Sequence, residues 1–222
     1  MKNAKQTFLD NIKHHLFDKF GKRKYDTHKE EINKTFTIIS CNCIGGIVYH
    51  NLGAAFSTPT INLFIETPDF LKLCLNLNKY MNDSMREASD SMLKGYPIGI
   101  LGDDIRIHFA HYQSFEEAIN AWERRKQRIN YDNIFVIATD RDGFEERMLE
   151  QLDLIEYPKV FFSHKKLNND YSVYVKSDKA KPTVSDLTRF VNIHQVRKFE
   201  YYFDIYKWLT GKYSVSECLL NQ

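Results

Sequence analysis

Hydrophobic and polar positions follow two different periods along the chain, and the changes of period mark its elements. Phe8, Ile12, Leu16 and Phe20 recur every fourth position, the single apolar stripe of an amphipathic helix. From Thr35 to Ser40 (TFTIIS) the pattern becomes β-branched and mostly apolar over a strand's length. It stops at Cys41-Asn42-Cys43, before Gly45-Gly46 and a short helix. Thr60 to Ile65 (TINLFI) predicts a second strand. Thr67 as N-cap and Pro68 at the first helical position open a helix carrying Phe70, Leu71, Leu73, Cys74 and Leu77.

After a polar stretch, Asn82 to Lys94, residues Tyr96 to Phe109 read as two strands joined by a tight Gly-Asp turn. Ser114 and Glu117 form a capping box for a helix to Ile129, with Ala118, Ala121, Trp122 and Arg125 at helical spacing. Asn133 to Thr139 (NIFVIAT) is a buried-strand pattern, Glu145 to Leu154 a helix, Lys159 to Ser163 (KVFFS) and Tyr171 to Val175 further strands. Phe199 to Leu209 reads as an aromatic helix stopped near Gly211. Strands alternating with helices predict an α/β, three-layer, Rossmann-like architecture: a mostly parallel sheet, helices on both faces and one inserted β-hairpin.

The 222 residues predict one α/β domain, 35–222, preceded by a basic helical extension, 1–34. The extension holds nine Lys or Arg against five acids; it reads either as a helix packed on the domain's flank or as a peripheral contact with an anionic membrane surface. The whole chain is nearly neutral, with a formal charge of +2, so nothing in its charge calls for a nucleic-acid partner. Four scattered cysteines are too few for a disulfide scaffold, and no run reaches the roughly 18 apolar residues of a membrane span. The expected location is the cytoplasm. The pattern names no cofactor and no oligomeric state.

In open α/β sheets, ligands bind beyond the carboxyl ends of the strands. The segment Ser40 to Gly46 (SCNCIGG) offers Ser40 or Cys43 as nucleophile, Asn42 as donor to a developing oxyanion, and backbone amides near Gly45 and Gly46 for an anion. The same glycines serve equally to pack a helix tightly on the strand. His111 ends an apolar strand row, a position for a base. Regular alternation points His108 the opposite way, so the two histidines do not share one metal. Asp140-Arg141-Asp142 follows an apolar strand, the setting of the Asp-x-Asp element of metal-dependent glycosyltransferases; its carboxylates would hold either a divalent cation or the turn itself. Arg124, Arg125 and Arg128 lie where cations complement a helix dipole or grip an anion. Trp122, Tyr131, Tyr201, Tyr202, Tyr206 and Trp208 are candidates for core packing or for stacking on sugar rings.

Several stretches taken together resemble a known family. They are Ser40-Cys41-Asn42-Cys43-Ile44-Gly45-Gly46, Ser57-Thr58-Pro59-Thr60, Tyr96-Pro97-Ile98-Gly99, Ile107-His108-Phe109 with His111-Tyr112, Trp122-Glu123-Arg124-Arg125, and Thr139-Asp140-Arg141-Asp142-Gly143. The chain resembles a bacterial family of unknown function labelled exopolysaccharide biosynthesis protein and found among capsule genes, over roughly Thr35 to Gly143. That family's first motif reads Ser-Asn-Asn-Cys-Trp-Gly-Gly; here Cys41 and Ile44 depart from it. The resemblance implies a role in surface-polysaccharide assembly, with a polysaccharide or an activated sugar or acyl donor as partner; polysaccharide machinery often works at a membrane, so the expected location extends to its inner face.

Three functional expectations follow. The first is a transferase that adds an acyl or other substituent, with Ser40, Cys43, His111 and Asp140 as catalytic residues and Asn42, Gly45, Gly46, His108, Arg125, Arg141 and Asp142 binding substrate. The second is a metal-dependent glycosyltransferase using Asp140 and Asp142. The third is a non-catalytic factor that binds glycan or assists assembly.

Overall fold

The computed structural model describes residues 27–33, 35–191 and 196–222. The basic helix expected over 1–34 lies, apart from 27–33, outside the described residues.

Seven strands and seven α-helices are described. In chain order they are β1 (Thr37–Ser40), α1 (Ile44–Leu52), α2 (Thr67–Leu75), α3 (Leu77–Asn82), β2 (Met85–Glu87), β3 (Ile98–Leu101), β4 (Ile105–His108), α4 (Phe115–Lys126), β5 (Ile134–Thr139), α5 (Leu149–Asp153), β6 (Lys159–Ser163), β7 (Ser172–Tyr174), α6 (Lys198–Tyr202) and α7 (Ile205–Trp208). β1, β5, β6 and β7 form a four-stranded sheet in the order β1-β5-β6-β7, every neighbour parallel. Ser40 stands opposite Ile137, and Thr139 opposite Phe162.

Period-2 alternation explains why both faces are covered. Ile39, Ile134, Val136, Ala138 and Phe161 point into one core with side chains of α2, α3, α4 and α5. Ile38, Phe135, Ile137, Val160, Phe162 and Val173 point into the other, with α1, α6 and α7. A parallel sheet buried on both sides needs continuous apolar runs, as IFVIAT is. The architecture is α/β and Rossmann-like, as the alternation of strands and helices predicted.

The inserted hairpin is larger than expected. β3 and β4 pair around a turn with Gly102 at φ +57°, and β2, drawn from the polar stretch 82–94, adds a third antiparallel strand. A strand with polar, exposed Arg86 and Glu87 carries no apolar signal, since it forms a sheet edge.

The strand expected at 60–65 is instead an extended crossing segment. Ile61, Leu63 and Ile65 are buried as in a strand, but Ile61 enters the core beside α1 while Leu63 and Ile65 enter the other. Asn62 takes φ +62° at the change of direction. Its ladder bonds are few: Phe64 exchanges backbone hydrogen bonds with His108, and the Ile65 amide donates to the Cys41 carbonyl. The segment thereby fastens the antiparallel sheet to the end of β1.

Two helix boundaries also differ. Thr67 is the first residue of α2 rather than its cap, because its hydroxyl donates to the Arg141 carbonyl and its amide to that of Asp142. The aromatic helix at 199–209 is broken into α6 and α7: Phe203 is extended and bridges Leu219, and the Asp204 carboxylate caps α7 by accepting the Lys207 amide. Beneath α6, fully buried Asp178 accepts Lys198 Nζ and Lys181 Nζ, each at 2.6 Å, together with the Ser185 amide at 2.8 Å.

Candidate functional site

The carboxyl end of β1 is built around its small polar residues. Ser40 is fully buried; its amide donates to Thr60 Oγ1 and its hydroxyl to Asn42 Oδ1, at 3.4 Å. Asn42 Oδ1 also accepts the Ile44 amide at 3.0 Å, which satisfies one of the free donors at the start of α1. A Cβ on Gly45 would stand 3.1 Å from both Ile38 Cγ2 and Ser40 Cβ. Glycine there lets α1 lie directly on β1. A Cβ on Gly46 would meet only Ile61, at 3.7 Å.

This packing leaves Cys43 half-buried at the start of α1, and His111 faces it: Cys43 Sγ and His111 Nε2 are 3.5 Å apart. His111 is exposed and does not continue β4. After His108 the chain turns, the Ala110 amide donating to the His108 carbonyl and the Tyr112 amide to that of Phe109. Tyr112 is then fixed from below, its hydroxyl donating to the Ile61 carbonyl and accepting from Arg125. Regular alternation does not extend to position 111, and this break lets the imidazole reach β1's end.

Burial pushes the Cys43 thiol above the ordinary cysteine range, and the Asp186 carboxylate adds to the shift. For Asp186, burial acts upward, but hydrogen bonds from the Thr188 hydroxyl and amide, with the charges of Arg141 and Arg189, hold the carboxyl below its usual range. Asp186 is therefore coupled electrostatically to both Cys43, which His111 faces, and Arg141. A neutral thiol beside an imidazole is the arrangement in which the base takes the proton during attack. Ser40 has its hydroxyl buried against Asn42, so Cys43 is the more accessible of the two candidate nucleophiles.

A second cluster lies where β5 and β6 end. Asp140 is 1% exposed, and both of its oxygens are engaged. Oδ2 accepts Ser163 Oγ at 3.0 Å, the His164 amide at 2.7 Å and His164 Nδ1 at 2.6 Å, while Oδ1 accepts the Val184 amide at 2.8 Å. Asp142 is exposed at φ +52°, and its carbonyl accepts the Thr67 amide. It caps neither of the short helical turns that follow. The two carboxylates of the Asp-x-Asp element thus occupy different environments. Among the described residues, no group of three or more His, Cys, Asp or Glu is gathered as for a metal.

His108 and Arg125 stand apart from Cys43. His108 is buried, stacked on Phe64 with ring centroids 4.3 Å apart, and its Nδ1 lies 3.5 Å from Tyr96 Oη. Burial lowers its pKa below the usual histidine range, against the opposing charge of Glu66, and so favours the neutral ring. Arg125 is 9% exposed; its guanidinium donates to Tyr112 and lies over the Phe56 ring, an internal brace rather than a grip on an outside ligand. Trp122, Tyr202, Tyr206 and Trp208 are core residues, whereas Tyr131 and Tyr201 are exposed.

Sequence reasoning missed Asp186 as a site residue. Asp186 follows no strand, and its one local signal is the Asp-x-Thr turn it makes with Thr188. His164 directly follows KVFFS and so stands at a strand end; the structure pairs it with Asp140.

The fold and these groups define an α/β protein with a thiol–imidazole pair at the carboxyl edge of a parallel sheet. The chain belongs to the family described as a domain of unknown function, DUF1919, whose match covers residues 12–210 and so begins within the basic N-terminal segment. An uncharacterized protein of Haemophilus influenzae is similar to it, 34% identical over 178 residues that cover 79% of this chain and 84% of that protein.

Proposed function

We propose that the protein is a transferase that carries an acyl substituent on Cys43 and passes it to a surface polysaccharide or its precursor. The observation that carries this reading is the 3.5 Å approach of His111 Nε2 to Cys43 Sγ at the sheet edge where α/β proteins bind ligands. The polysaccharide acceptor rests on the resemblance to exopolysaccharide biosynthesis proteins, as does work on the inner side of the membrane. Among the described residues no helix is long and apolar enough to cross a membrane.

His111 takes the thiol proton as sulfur attacks the carbonyl carbon of an activated acyl donor, and that proton leaves with the donor's leaving group. An acceptor hydroxyl then attacks the thioester; its proton passes through His111 to the departing sulfur, and the thiol is restored. The Asp-x-Asp glycosyltransferase reading is less well supported, because all the donors around Asp140 would have to be displaced before it met a cation.

The test uses p-nitrophenyl acetate as the acyl probe, read by intact mass and peptide mapping. One acetyl group is expected on Cys43. Cys43→Ala should abolish it, and His111→Ala should slow it by about 10²–10⁴-fold. In a capsule-forming host the same two variants should lose the substituent from the surface polysaccharide. Full complementation by both variants would overturn catalysis and favour a binding or assembly role.

A further inference from the structure

The Asp140–His164 pair is not used by the Cys43 chemistry, and it has the construction of a functional group. Four groups surround the buried Asp140 carboxyl, His164 Nδ1 among them at 2.6 Å, so the imidazole is fixed through Nδ1 and Nε2 is the ring nitrogen open to an outside partner. The imidazole side chain is 14% exposed, and with Asp140 it lines a cavity of about 170 Å³. Phe144, Leu167 and Pro182 make the apolar wall, and Phe144 is fixed by Phe161, ring centroids 5.0 Å apart. The polar side holds Thr183, with Lys165 and Glu146 paired to each other at 3.2 Å.

We infer that this cavity binds one sugar ring, a hydroxyl of the ring hydrogen-bonding with His164 Nε2 and its C–H face lying against Phe144 and Leu167. The volume falls below the roughly 300 Å³ at which pockets for drug-sized ligands begin, which suits a single ring and excludes a nucleotide sugar. A ring nitrogen and a hydroxyl beside an apolar wall match a polyol ring, while the carboxyl groups of Asp140 and Glu146 outnumber Lys165 in the lining and disfavour a phosphate or carboxylate. The inference goes beyond the acyl reading and stands whether or not Cys43 is acylated. Where both hold, the cavity is the place for a unit of the acceptor.

Two measurements test it, and neither reads acyl transfer. Diethylpyrocarbonate modifies neutral imidazole, and the sites are mapped by peptide mass. A panel of neutral hexoses should slow modification of His164 at least several-fold and leave exposed His111 unchanged. Ligand-observed NMR should show the same sugars binding, with binding lost in Thr183→Val and His164→Gln. Equal rates at His164 with and without every sugar overturn the inference. So does protection by glycerol or a nucleoside in place of the hexoses. Because the protection experiment uses the unaltered chain, a folding defect in either variant leaves the inference testable.

Discussion

Replacing Asp140 by Asn removes one charge and almost no volume, and the structure sets the cost. The amide oxygen can still accept from the Val184 amide, but the NH2 group then faces Ser163 Oγ, the His164 amide and His164 Nδ1. The serine hydroxyl can rotate and the imidazole can change tautomer; the His164 backbone N–H can do neither and is left against a donor. A hydrogen bond to a charged group contributes about 1.5–3 kcal/mol, and a buried donor without a partner costs about 1–3 kcal/mol. Allowing for partial relaxation, we expect Asp140→Asn to destabilise by about 3–5 kcal/mol, the range for breaking a buried pair. At about 2–4 °C per kcal/mol for a domain of this size, the midpoint falls by roughly 6–20 °C. Urea unfolding followed by near-UV circular dichroism, with thermal melts, measures both. Exposed Asp142→Asn is the control and should stay within about 0.5 kcal/mol. If the two variants unfold alike, Asp140 does not pin the strand ends and the argument fails.

Three further outcomes are expected. Since the Asp186 charge raises the Cys43 pKa, Asp186→Asn should lower it and speed alkylation of Cys43 by iodoacetamide at pH 8 by up to about tenfold; an unchanged or slower rate would separate the two residues. Burial pushes Cys41 up to about 12, whereas an unfolded thiol ionises near 8.5, so its contribution is complete below that value and drains away as pH rises toward 12. Between pH 8.5 and 10 the unaltered chain should therefore lose about 2 kcal/mol more stability than Cys41→Ala, and parallel pH profiles would contradict the burial. For Asp178, burial acts upward, but Lys181, Lys198 and Ser185 outweigh it and hold the carboxyl well below its usual range, a stabilisation present above about pH 4 and lost as pH falls. Lys198→Met should cost about 3 kcal/mol at neutral pH, the low end because Lys181 remains, and should flatten the acid limb of urea-unfolding stability against pH.

The parts of the fold that could be read from the sequence are those in which local pattern and tertiary role agree. KVFFS and IFVIAT are apolar because both sides of them are covered, and the gain from burying both faces outweighs any local alternative. TINLFI has the same look, yet its inward residues divide between two cores, a demand that appears only when the layers are assembled. β2 was unreadable for the opposite reason, since a sheet edge needs no apolar face. At the site, Cys43 and Asn42 stood out because they end a strand. The partnership of Cys43 with His111 depends on a turn after β4, and that of Asp140 with His164 on parallel pairing of β5 and β6. Both are contacts across the fold that spacing along the chain does not encode.

The segment holding Val184, Ser185 and Asp186 is tied down at two successive residues, the Val184 amide to Asp140 and the Ser185 amide to Asp178, and Asp186 closes a turn with Thr188. Two buried carboxylates, Asp140 and Asp178, thus hold this segment at consecutive residues. A guest at this edge meets a mould already set, so discrimination among guests should come from shape at the entrance, and binding should bring little ordering of the backbone.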